Sequence, residues 1–121
     1  MANVFLIGLE QTLAAQVTGA IAQERHRIHR KPHDVAVRDL MEAQIIFAGG
    51  DAVQYLSLLR RVRKERPALP FVVVTAGAQM TAWLDALEAG ATDYCCSPFE
   101  RRQIHWLMES ALPLRKAAAG G

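Results

Sequence analysis

Apolar positions along this chain fall into two patterns, short unbroken runs and longer stretches with a helical spacing. The run Phe71 to Val74, valine at three of its four positions, predicts a strand buried on both faces. From Met80 the apolar spacing becomes helical, through Trp83, Leu84 and Leu87, and Gly90 stands where a helix C-cap would. A second strand, Asp93 to Cys96, follows at once and ends on Ser97-Pro98. This strand-helix-strand unit predicts a parallel sheet. Its working edge lies at the carboxyl ends of the strands, near Thr75 and Ser97.

The remaining chain repeats the alternation. Asn3 to Ile7 reads as the first buried strand, ended by Gly8, and Gln11 to Glu24 as a helix with Leu13, Val17, Ala20 and Ile21 on one stripe. The basic stretch RHRIHRKPHD predicts a short second strand over Arg27 to Arg30, ended by Pro32. Asp34 is placed as the cap of a short helix reaching Glu42, and Ala43 to Ala48 as the third strand, broken by Gly49-Gly50. Asp51 caps the next helix, whose stripe of Tyr55, Leu58, Leu59 and Val62 runs until Pro67 closes it. Glu100 to Leu112 forms the last helix, with Ile104, Leu107, Met108 and Ala111 on one stripe and Pro113 as its stop. Residues 1–113 are thus one domain, and 114–121 read as a linker, a frayed end or a cloning remnant.

Composition narrows the class without choosing a function. A chain of 121 residues, 51% hydrophobic and 21% charged, suits one soluble globular domain. No run approaches the roughly 20 apolar residues of a membrane span, and no signal pattern opens the chain, so a cytoplasmic protein is expected. A net charge of +2 does not by itself imply nucleic acid.

Thr75-Ala76 at a strand end, then LEAGATDY from Leu87 to Tyr94, then Ser97 followed by Pro98-Phe99, resembles the last third of the receiver domain of bacterial two-component response regulators. With the rest of the chain, the resemblance extends over residues 3 to 112. It implies a doubly wound α/β domain of the flavodoxin-like, CheY-like kind: a five-stranded parallel sheet with helices on both faces.

Receivers of the usual kind accept a phosphoryl group on an aspartate after the third strand, since a carboxylate can attack phosphorus to form an acyl phosphate. An acidic pair after the first strand holds Mg²⁺, a Thr or Ser hydroxyl bonds a phosphoryl oxygen, and a lysine before the final proline supplies positive charge. Carried over by position, the acidic pair falls on Gly8 and Leu9, the acceptor on Gly49, the hydroxyl on Thr75 and the lysine on Ser97. Only Thr75 retains its chemistry. The resemblance therefore implies a degenerate receiver, neither an enzyme nor a cofactor binder, that acts through protein contacts. Two alternatives stay open: an unusual acceptor site built from Glu10 and Asp51, and a small-ligand sensor using the vacated crevice. For Glu10 a solvated helix entry, and for Asp51 a helix cap, are the simpler roles.

The resemblance also places a switch pair at Thr75 and Tyr94. It points to self-association, or to a partner protein or output domain, on the face of the fourth helix (80–87), fifth strand and fifth helix (100–112). Trp83, Leu107 and the adjacent Trp106 are expected outward there, and aromatic side chains are favoured interface anchors. It further suggests a cis bond before Pro98. His26, His29 and His33 invite a metal reading, but residues 26 and 29 face opposite ways on an extended segment, so a solvated basic edge is expected. Without interleaved aromatics the same patch is a poor nucleic-acid surface. Cys95 and Cys96 read as packing residues of a buried strand.

Overall fold

The computed structural model describes residues 2–21, 26–77, 80–97 and 99–111. Side chains of β1 (Asn3–Ile7) alternate between two apolar layers: Val4 and Leu6 enter one, Phe5 and Ile7 the other. The same division holds in β3 (Ile45–Ala48) and β4 (Phe71–Thr75), whose residues are buried throughout. Burial on both faces explains why these segments are unbroken apolar runs.

The strands are parallel in the order β2-β1-β3-β4-β5, with β2 (Arg27–Lys31) and β5 (Asp93–Cys96) at the edges. Helices α1 (Gln11–Ile21) and α4 (Arg101–Ala111) bury Leu13, Val17, Ile104, Leu107 and Met108 in the first layer. On the other face, α2 (Ala52–Glu65) buries Tyr55, Leu58, Leu59 and Val62, and α3 (Met80–Glu88) adds Ala86. The doubly wound parallel fold is as expected. Its strand order reverses between β1 and β3, and a crevice opens there at the carboxyl ends of the strands.

Local chemistry sets the element ends. Asp51 forms a reciprocal capping box with Gln54: its carboxylate accepts from Gln54 N at 2.9 Å, and its own N–H donates to Gln54 Oε1 at 3.0 Å. Helix α3 closes in a Schellman motif, with Gly90 at φ 104° and Ala91 N donating to Ala86 O.

Two expectations are corrected. No helix runs from Asp34 to Glu42; a single 3-10 turn (Val37–Leu40) takes its place, preceded by Ala36 without a side-chain cap. Val35 and Leu40 are drawn into the second layer instead, and Arg66 donates to the carbonyls of Leu40, Met41 and Ala43 beyond the turn. Helix α3 forms where predicted, but the alanines Ala82 and Ala86 are its buried positions, while Trp83, Leu84 and Leu87 stand in solvent. Residues 22–24 of the first helix, Pro98, and the tail with Pro113 lie outside the described residues. Among those described, no helix is long and apolar enough to cross a membrane.

Candidate functional site

The crevice is floored by the turns that leave β1 and β3. Gly8 leaves β1 at φ 66° and donates its N–H to Lys31 O at 3.0 Å, and Gly49 N donates to Ile7 O at 3.0 Å. Leu9 turns inward and is buried. A Cβ on Gly49 would stand 2.5 Å from Leu9 Cδ2 and 3.1 Å from the Val74 carbonyl, so the space a side chain at 49 would need is already filled.

Thr75 ends β4 and, among the described residues, is the buried polar residue of the core. Its hydroxyl donates to Gly77 O at 2.9 Å, so the 2.5 Å contact with Tyr94 has the phenol as donor. Thr75 and Tyr94 are therefore joined by a hydrogen bond. A cavity of about 380 Å³ lies beside them, with Gly8, Glu10, Asp51, Tyr55 and Thr75 in its wall. Burial raises the pKa of the Tyr55 phenol, with smaller contributions from Tyr94, Asp85 and Asp51.

Glu10 is exposed, and the Asp51 carboxylate is engaged by the α2 cap. Ser97 N donates to Thr75 O at 2.9 Å, and its hydroxyl turns to Gln16 Oε1 on α1 at 3.2 Å. Among the described residues, no three His, Cys, Asp or Glu side chains converge to hold a metal.

His33 was expected on a solvated edge and instead packs, half-buried, over the turns that floor the crevice. Its Nε2 donates to Gly49 O at 2.7 Å, and its ring lies over Gly8 and Gly50. His26 and His29 stay apart from it: His26 Nδ1 accepts from Ala2 N at 3.2 Å, and His29 stacks on Phe5 with centroids 4.6 Å apart. The missed signal was the register of the parallel pair. Ile7 is level with Lys31, so the chain leaving β2 passes beside Gly8 two residues later.

The arginines of α2 act on nearby backbone. Arg61 donates to His33 O and Val35 O, and Arg63 to Gly90 O, Arg66 O and Leu69 O.

The proposed interface residues are divided. Trp83 is 39% and Trp106 60% exposed, with Leu84 and Leu87 also open on α3. Leu107 contradicts the expectation that it faces outward. It is buried beside Ile104 and Met108 against the α1 side of the sheet, where the helical spacing of α4 had already put it. Cys95 is buried in the first layer and Cys96 half-buried. Burial pushes the Cys95 thiol up to about 12, with Asp93 and Cys96 adding to the shift.

No family model matches the chain. Over 99 residues, 82% of this chain, it is 27% identical to the response regulator protein PilR of Pseudomonas aeruginosa, and over 74 residues 31% identical to the DNA-binding transcriptional regulator NtrC of Escherichia coli K12. The receiver domain of NtrX from Brucella abortus superposes with a TM-score of 0.79, at 22% identity, over 91% of this chain and 98% of that one. The chain has the fold of receiver domains. The chain spans 20% of PilR and 15% of NtrC, so what those longer proteins do as a whole is not carried by the match.

Proposed function

We propose that this receiver-type domain works in cytoplasmic signal transduction by binding proteins, and that aspartyl phosphorylation has been lost from it. The observation that carries the reading is at Gly49. The acceptor position has no side chain, and Leu9 and the Val74 carbonyl fill the space where one would stand. Gly8 and Leu9 supply no acidic pair, and Ser97 supplies no cation. Asp51 is a poor substitute acceptor because its carboxylate caps α2. In this reading the domain catalyses nothing and needs no cofactor.

The binding surface is the α3-β5-α4 face, used for self-association or for another protein of the pathway, an output domain included. Its support is the exposed apolar group Trp83, Leu84 and Leu87 on α3, with Trp106 on α4. Thr75 and Tyr94 behind that face remain coupled, so a partner that prefers one arrangement of the pair would shift it. The cavity beside Thr75 favours a second reading, a small-ligand sensor, which predicts a thermal shift on ligand binding.

The test is intact mass after incubation with acetyl phosphate and Mg²⁺. The expected spectrum is that of the unmodified chain. A stable added phosphoryl group, mapped to Asp51 or Glu10, would overturn the reading.

A further inference from the structure

We infer that the His33 imidazole is a built-in occupant of the crevice, a plug carried by the segment 32–35 that joins the β1, β2 and β3 turns from within. The inference rests on packing at the switch point and stands apart from the signalling role.

The ring lies against the two glycines that follow β1 and β3, Gly8 and Gly50. Its Nε2–H bonds the Gly49 carbonyl at 2.7 Å. The floor beneath is shaped to the ring. A Cβ at Gly8 would stand 2.0 Å from Cε1 and Nε2 of the imidazole, and a Cβ at Gly50 would lie 2.6 Å from Nε2. Both glycines also hold positive φ, 66° and 93°, so their lack of a side chain serves the turn and the ring together.

The plug is braced from behind. Val35 is buried in the second layer, and the Arg61 guanidinium donates to His33 O at 2.6 Å and to Val35 O at 2.9 Å. Arg61 is thus a positioning residue for His33. Its planar fork reaches two carbonyls at once, which a lysine at 61 would not reproduce. Segment 32–35 is held at its base by Val35 N donating to Pro32 O, and Lys31 O accepts from Gly8 N just before it. A side chain added at Gly8 or Gly50 would first have to displace the ring.

If the ring is an occupant, removing it should leave a site that takes free imidazole. His33→Gly should lower Tm by roughly 4 °C or more. Imidazole at about 50 mM should restore a good part of that loss while leaving the wild type unmoved, since a ligand stabilises only a state that binds it. Equal Tm for variant and wild type, or an equal imidazole shift in both, would overturn the proposal. A second measurement holds if His33→Gly folds poorly. Gly8→Ala is compared in the wild type and in His33→Ala, where the strain of positive φ is common to both and cancels in the cycle. The alanine should cost clearly less Tm when the imidazole is gone. The same loss in both backgrounds would mean that the ring does not occupy the space above Gly8.

Discussion

The Tyr94 phenol donates to the Thr75 hydroxyl across 2.5 Å, and Thr75 in turn donates to Gly77 O at 2.9 Å. This relay ties edge strand β5 to the end of β4 beside the crevice. Tyr94→Phe removes one hydrogen bond and should cost about 1 kcal/mol in urea unfolding, whereas Thr75→Val strands a partly buried phenol and should cost about 1–3 kcal/mol. The double variant should cost less than the sum of the two. Strict additivity would show that the hydroxyls are not energetically coupled.

Trp83 and Leu107 should separate binding from folding. Trp83 is exposed, so Trp83→Ser should change stability by no more than about 0.5 kcal/mol. Leu107 is 5% exposed within a packed layer; Leu107→Ala should cost about 2–5 kcal/mol and Leu107→Glu should prevent folding. Circular dichroism melts of the three variants check the order. A Leu107→Glu protein that melts like the wild type would return this residue to the surface.

Much of this architecture was legible in the chain, and the exceptions have physical reasons. Strands buried on two faces leave continuous apolar runs, which is why Asn3–Ile7 and Phe71–Thr75 could be placed closely. The Asp51 cap depends on a partner three residues away and is equally local. His33 was misplaced because its partner, Gly49, is distant in sequence and meets it only when the sheet assembles. On α3, the large apolar residues suggested the buried stripe, yet the alanines let the helix lie close to the sheet and leave Trp83 outside. Leu107 shows a conflict between two signals: spacing within α4 placed it correctly, and family likeness did not.

The arginine run of α2 is a set of backbone clamps as much as a basic surface. Arg66 donates to Leu40 O, Met41 O and Ala43 O at 3.0, 3.2 and 2.7 Å. Arg66→Lys keeps the charge but loses the fork, and should cost about 1–3 kcal/mol. Arg60→Lys, at an exposed position of the same run, should be close to neutral. Equal effects in denaturant melts would contradict the clamp.

Alkaline pH should weaken the fold through Cys95. Its native pKa is raised from about 9 to about 12, so between those values the native chain keeps a proton that the unfolded chain has released. Stability from this group is fully present below pH ~9 and falls as pH rises toward 12. The raised Tyr55 pKa acts in the same direction. Urea midpoints followed from pH 8 upward should drop less steeply in Cys95→Ala than in the wild type. Parallel pH profiles would show that the thiol titrates alike in both states.

The central claim is that the α3-β5-α4 face binds without a phosphoryl trigger, and solution mass by light scattering reads it directly. The wild type should form a dimer at high concentration, with the same mass whether or not acetyl phosphate and Mg²⁺ are present. Trp83→Ser should be monomeric under both conditions. A wild type that stays monomeric throughout, or that associates only after phosphodonor is added, would contradict the account.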